Sequence, residues 1–289
     1  MKKLFGLIGT AEPKNQARDE QCCGDDCCGG GAAMTSTDSR SVVEAVQEHY
    51  TKVAERGRSA GQGGATASEC CGSSANYTTD QLEAITAEAA GASAGCGNPI
   101  GLAEARVGET VLDLGSGGGI DCFLAAKAVG SEGRVIGVDM THEMVALARD
   151  NAAKLGTENV TFKLAQIESI PEPDDTIDLV ISNCVIALAP DKDRVFEDVF
   201  RVLKPGARFV ISDMVVEEEL PEHVRRDAAE WVSCVGGADV KSRYLGRIER
   251  AGFERIELLE DRPMSPGETG QAWRGSVRSV TVRAFKPAV

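Results

Sequence analysis

Basic residues are in short supply in this 289-residue chain. Against 45 Asp and Glu there are 31 Lys and Arg, giving a formal net charge of −14. A partner gripped through phosphates, such as duplex DNA or tRNA, needs a cationic face. Nucleic acid is therefore not an expected partner, and neither is an anionic membrane surface. Long apolar runs are missing as well: no stretch of 18 apolar residues occurs, so no segment reads as a membrane span. The opening Met1-Lys2-Lys3 has the look of a signal n-region. Yet Leu4–Ile8 is interrupted by Gly6 and ends at Gly9, short of the roughly 7–15 apolar residues of a secretory h-region. The expected location is the cytoplasm. Histidine is scarce too: only His49, His142 and His223 are present. Each falls in or at the start of a helical stretch, where a surface or capping role is ordinary, so chemistry built on a histidine base has little to draw on.

Cysteine, by contrast, is plentiful. Ten occur, six of them as vicinal pairs, Cys22-Cys23, Cys27-Cys28 and Cys70-Cys71, and four singly, Cys96, Cys122, Cys184 and Cys234. In a cytosolic chain a disulfide framework is not expected. Vicinal pairs are poor structural staples, and their spacing suggests soft-ion chemistry.

Residues 1–40, rich in Gly, Ala, Ser, Asp and Cys, read as a flexible tail. Residues 41–100 read as a helical and loop extension that contributes thiols. Val42, Val43, Val46, Tyr50 and Val53 fit one helical face within Ser41–Arg56, and a short helix capped by Thr79 or Asp80 follows. From Glu109 the pattern becomes regular. Strands are expected at Thr110–Leu114, Arg134–Val138, Val160–Leu164, Ile177–Ser182 and Arg208–Ser212. Helices are expected at Ile120–Val129, at Thr141–Leu155 with Thr141 as its cap, and at Asp191–Leu203, stopped by Lys204-Pro205-Gly206. Residues 101–213 thus form an alternating β/α core. Residues 214–289 complete the fold and supply a substrate lid, through helices at Pro221–Cys234 and Lys241–Ala251 and strands at Arg255–Leu259 and Val277–Phe285. The expected fold is α/β: a doubly wound, Rossmann-like, mostly parallel seven-stranded sheet with helices on both faces.

One loop carries the cofactor signal. Gly115-Ser116-Gly117-Gly118-Gly119 follows a strand and opens a helix, so its backbone can turn sharply and approach a ligand closely. A glycine loop alone is shared with dinucleotide folds. Asp113, two residues before Gly115, would repel a pyrophosphate but suits the cationic amino group of a methionine moiety. Asp139, 20 residues after Gly119, ends the second strand, where an acid can accept ribose hydroxyls. These residues resemble the cofactor signature of the class I S-adenosylmethionine (SAM) methyltransferases. The resemblance implies further positions: Met140 beside the ribose or adenine, Ile167 and Glu168 at the adenine, and Asn183 where donor and acceptor meet.

Cys96 lies in Gly95-Cys96-Gly97-Asn98-Pro99, Cys184 in Ser182-Asn183-Cys184-Val185-Ile186, and Cys234 in Ser233-Cys234-Val235-Gly236-Gly237-Ala238. All three could reach the same end of the sheet. Here, from about residue 40 to the C-terminus, the chain resembles the bacterial-type arsenite methyltransferases. The resemblance implies that Cys96, Cys184 and Cys234 ligate As(III) as substrate, and that Cys70 or Cys71 takes part in redox turnover with a thiol reductant, glutathione or thioredoxin. A disulfide of Cys70 or Cys71 with Cys96 is one way to close that cycle. The chemistry suits the residues: As(III) is thiophilic, and three thiolates leave its lone pair free to take a methyl group without any base. Cys122 reads as a small buried hydrophobe. The pairs at Cys22-Cys23 and Cys27-Cys28 read equally as an arsenic-capturing or redox tail and as a segment without function. One departure from the family is Ala187, where Asn is frequent. Two other readings stand beside this one: methylation of a small organic acceptor, and metalloid binding without catalysis. A monomer is expected.

Overall fold

The computed structural model describes residues 39–60, 76–264 and 272–288. Cys22, Cys23, Cys27, Cys28, Cys70 and Cys71 lie outside them.

The strands are β1 (Thr110–Leu114), β2 (Arg134–Asp139), β3 (Val160–Leu164), β4 (Ile177–Asn183), β5 (Leu203–Val216), β6 (Asp239–Val240), β7 (Glu254–Pro263) and β8 (Val277–Phe285). They make one sheet in the order β3-β2-β1-β4-β5-β8-β7, with β6 paired to β5. β1 to β5 are parallel, while β8 runs antiparallel between β5 and β7. The strand order reverses between β1 and β4, the switch point beside which doubly wound sheets open a crevice at their strand C-termini.

Central strands buried on both faces must be apolar nearly throughout. β1 and β4 obey this, and their side chains divide between two cores. Leu112, Leu114, Ile136, Val180, Phe196 and Phe209 pack on one face. Val111, Val135, Leu179, Ile181, Phe123 and Val145 pack on the other. In the first core Phe209 meets Phe253 edge-to-face, ring centroids 4.8 Å apart, worth about 0.5–1.5 kcal/mol beyond area burial.

The helices are α1 (Ser39–Ala60), α2 (Thr79–Glu83), α3 (Ala87–Gly91), α4 (Pro99–Leu102), α5 (Ile120–Val129), α6 (His142–Leu155), α7 (Lys192–Val202), α8 (Glu222–Arg225), α9 (Ala228–Val232) and α10 (Lys241–Arg250). Among the described residues, none is long and apolar enough to cross a membrane. α1 lays Val42, Val46 and Val53 inward and lies against α3, α6 and α9.

Several boundaries differ from the sequence reading. The expected helix Pro221–Cys234 is broken into α8 and α9, because the Asp227 carboxylate accepts from the amides of Ala229 (2.8 Å) and Glu230 (3.4 Å) and starts a new helix. α2 is capped by Thr78, not Thr79 or Asp80, through a reciprocal box with Gln81. α7 begins at Lys192 because Asp191 serves as its cap, accepting from the Arg194 amide at 3.0 Å. Thr141 precedes α6 without a side-chain cap bond; its hydroxyl serves Asp139 instead. The strand expected at Arg208–Ser212 runs from Leu203 to Val216, since β8 and β6 pair along the added length. The eighth strand is the two-residue β6, too short to leave a periodic signal.

Candidate functional site

The segments after β1, β2, β3 and β4 converge at the C-terminal edge of the sheet and, with α1 and the loop before α4, line a pocket. Its floor is the turn after β1. The amides of Gly115 and Ser116 both donate to Val138 O, at 2.8 and 2.9 Å, so the turn is stitched to β2. Gly115 has φ +69°, and a Cβ there would lie 2.3 Å from Val185 Cγ2. Conformation and space both demand glycine.

Asp113, Gly115, Ser116, Gly117, Asp139, Met140, Ile167, Glu168 and Asn183 all line this pocket. Gly119 does not. With φ +96° it is the left-handed residue that launches α5, and Phe123 occupies the space a Cβ would need. Asp139 accepts from the amides of Gly117 (3.0 Å) and Thr141 (2.8 Å), which aim its carboxylate across the pocket. Burial raises its pKa.

Asp113 is buried and accepts a hydrogen bond from the Cys122 thiol at 3.2 Å. Cys122, expected to be inert packing, is indeed fully buried but also has this partner. Burial pushes the Asp113 carboxyl well up, and the charge of nearby Asp121 pushes it further. Burial also raises Asp121, to about 6. Asp121 is a pocket residue that the sequence reading missed. Tyr77 Oη donates to its Oδ2 at 3.0 Å, while its Oδ1, like Ser116 Oγ, has no partner. Two buried carboxyls with an unpaired acceptor, set over a glycine turn, form a cradle for a cation. The available signal for Asp121 was a lone carboxylate in an otherwise apolar first turn, Ile120-Asp121-Cys122-Phe123.

Asn183 ties this cradle to the cysteines. Its Oδ1 accepts from the Gly97 amide (3.1 Å), and its Nδ2 donates to Gly97 O (2.9 Å) and Tyr77 Oη (3.0 Å), with Asp121 Oδ2 at 3.3 Å. The Cys96 loop is thereby held to the end of β4. A Cβ on Gly97 would lie 2.5 Å from Ser212 Oγ, so the loop sits directly on β5.

The three single cysteines of the sequence reading meet here. The Cys184 thiol lies in one cluster with Cys234 and Cys96. These neighbours, first Cys234 and then Cys96, raise its pKa well above the ordinary thiol value, and burial adds to them. Cys234 Sγ also donates to Cys184 O at 3.0 Å. Cys184 and Cys234 are buried and Cys96 half-buried, in one cluster with Tyr50, Met140 and Trp231. Tyr50 of α1, a residue the reading assigned only to packing, lines the pocket and packs against the cysteine cluster. Cys184 and Cys234 both adopt left-handed backbone, φ +62° and +66°. Non-glycine residues adopt that conformation uncommonly, and functional sites are one place where it clusters. Among the described residues no three His, Cys, Asp or Glu side chains stand in a ready ligating arrangement. None of the three histidines lines the pocket.

A methyltransferase-domain family model matches residues 105–253. The chain is 43% identical to the arsenite methyltransferase of Halobacterium salinarum, over 95% of this chain and 76% of that one. It is 36% identical to the arsenite methyltransferase of Aquipseudomonas alcaligenes, over 84% and 72%. The crystal structure of an arsenic(III) SAM methyltransferase from Chlamydomonas reinhardtii superposes with a TM-score of 0.62 at 35% identity, covering 75% of this chain and 73% of that one.

Proposed function

The chain belongs to the SAM-dependent arsenite methyltransferases, and from that premise we propose that the thiols of Cys96, Cys184 and Cys234 hold As(III) beside the cofactor pocket for methylation. The observation that carries this reading is the gathering of three cysteines, from three distant segments, in one cluster whose member Cys184 lines the pocket. Arsenous acid can exchange its three hydroxyls for three thiols. Each As–O bond gives way to an As–S bond, and each thiol proton leaves in a water molecule. A raised thiol pKa is then no obstacle, because no free thiolate has to be generated. Three sulfur ligands leave the arsenic lone pair unshared.

The residues of the pocket fit SAM. Asp113 and Asp121 offer anionic partners for its amino group, Asp139 offers acceptors for the ribose, and Met140 and Ile167 offer apolar walls for the adenine. When bound there, SAM supplies a sulfonium-borne methyl group that an arsenic lone pair can take up. The protein's contribution is positional: fixing two reactants in contact is worth roughly 7–11 kcal/mol of barrier in favourable cases. No base is required, which agrees with a pocket free of histidine. Methylation brings arsenic formally to As(V), so rebinding as As(III) requires two electrons. A thiol reductant, glutathione or thioredoxin, supplies them by becoming a disulfide, and Cys70 or Cys71 is the proposed relay. Methylated arsenicals are the product, and arsenic detoxification is the role.

Speciation of arsenic after incubation with SAM, arsenite and glutathione tests this, with a control lacking SAM. Methylated arsenic is expected only with SAM. Cys184→Ser and Cys234→Ser are expected to abolish it while SAM binding persists. Undiminished methylation by either variant would remove that residue from the ligand set.

A further inference from the structure

Cys184 sits on a left-handed backbone at a strand end, and such a conformation persists only where its surroundings impose it. We propose that Asp213, Lys192 and Trp231 are positioning residues for Cys184: they clamp the turn that follows it and so fix its thiol against the cofactor loop. This rests on the reading of Cys184 as an arsenic ligand.

The turn is a single 3₁₀ turn, Ile186–Leu188, and all three of its residues are buried. Outside partners meet its backbone from three elements. Asp213 Oδ2, on β5, accepts from the Ala187 amide at 2.9 Å. Lys192 Nζ, on α7, donates to Ala187 O at 3.0 Å and Ala189 O at 2.8 Å. Trp231 Nε1, on α9, donates to Leu188 O at 3.3 Å. A carboxyl group thus takes the N–H side of the turn and an amino group its carbonyl side, matching the polarity of the peptide groups. Ala187 has no polar side-chain group of its own, so its anchoring comes entirely from outside.

The anchors are themselves fixed. Asp213 is fully buried, with Oδ1 accepting from the Met214 amide (2.9 Å) and Oδ2 from Tyr244 Oη (3.2 Å). Lys192 is buried, with its ammonium 5.8 Å from the centre of the Trp231 ring. Burying ionisable side chains rarely gains stability over well-packed apolar ones, so their use here points to placement of the chain they hold.

What the clamp holds is wedged between the two halves of the site. Val185, between Cys184 and the turn, fills the space beside Gly115. On the other side, a Cβ on Gly237 would lie 2.1 Å from Ala187 O, so the Cys234 segment runs against the turn. Trp231 O accepts from the Cys234 amide at 2.9 Å, so one residue contacts both cysteine segments. Loosening the clamp lets Cys184 move relative to Cys234 and to the cofactor loop at once.

The test uses the full chain with Asp213→Asn, Lys192→Met and Trp231→Phe. For each, the arsenite KM, kcat, SAM Kd and alkylation rate of Cys184 relative to Cys96 are measured. We expect the arsenite KM to rise about tenfold or more, as for residues that orient ligands elsewhere. Relative Cys184 alkylation should change, and SAM Kd should stay within about twofold. Trp231→Phe, which removes one donor and keeps an aromatic ring, should show the same signature on a smaller scale even if Asp213→Asn does not fold. Unchanged arsenite KM and Cys184 alkylation in the folded variants would overturn the clamp. So would arsenite and SAM affinities falling in step, the mark of general destabilisation. Cys184→Ser in parallel separates the two readings. If it is inactive while the clamp variants behave as wild type, only the clamp fails; if it is fully active, the ligand assignment fails and takes the clamp with it.

Discussion

At the scale of single residues, the four free cysteines among the described residues differ by their surroundings. Cys96, Cys184 and Cys234 share one cluster, whereas the Cys122 thiol donates to a carboxylate. Cys122→Ala should therefore leave the arsenic stoichiometry unchanged and cost about 1–3 kcal/mol of stability, from a small cavity and a lost hydrogen bond. Denaturant unfolding and arsenic analysis of the variant check both. The roles proposed for Cys184 and Cys234 follow from the family resemblance of their flanking segments; their left-handed backbones had no signal in the cysteines themselves. The Asp113–Asp121 pair makes a second prediction. Burial holds both carboxyls up, Asp121 to about 6, so the free site retains protons that an incoming cation must displace. Cation binding favours the ionised acids. SAM affinity should then rise with pH through about 6 and level off once the pair is ionised. Asp121→Asn should remove the part of the dependence near that pH. Calorimetric titration with SAM across that range reads it, and a flat profile for the wild type would contradict the assignment of these acids.

At the scale of elements, the site is made of loops whose anchors are regular structure. The Cys96 loop has no helix or strand of its own; it is held by the Asn183 side chain and by its closeness to β5. Gly97→Ala would place a methyl 2.5 Å from Ser212 Oγ. The loop must lift, so the arsenite KM should rise about tenfold or more with SAM Kd little changed. Steady-state kinetics with calorimetry distinguishes this from a collapse of both. The pattern of legibility follows the same logic. β1, α5, β3 and β8 have the limits the sequence implied, because apolar pattern and stop signals coincide there. α8, α9 and the length of β5 were not legible. Asp227 breaks a continuous helical pattern by capping, and β5 is extended by partners far away in sequence, β8 and β6. The Asp213–Lys192 clamp was invisible for the same reason: its members lie on β5 and α7 and meet only across a turn of a third segment.

At the scale of the whole molecule, one doubly wound sheet brings a cofactor pocket and a thiol cluster to a single edge. The parallel half supplies the pocket. The antiparallel strand β8 packs against the Cys96 loop, with Ser279 Oγ donating to Cys96 O at 3.0 Å. The net charge of −14 is compatible with a small uncharged substrate such as arsenous acid. The central claim is that three cysteines, and no other group, hold the arsenic. Arsenic X-ray absorption on the full chain, with Cys22, Cys23, Cys27 and Cys28 replaced by serine and one equivalent of arsenite added, tests it most directly. The account predicts three sulfur neighbours and no oxygen, falling to two sulfurs when Cys184→Ser is added. Oxygen neighbours in the parent, or three sulfurs persisting in the Cys184→Ser chain, would contradict it.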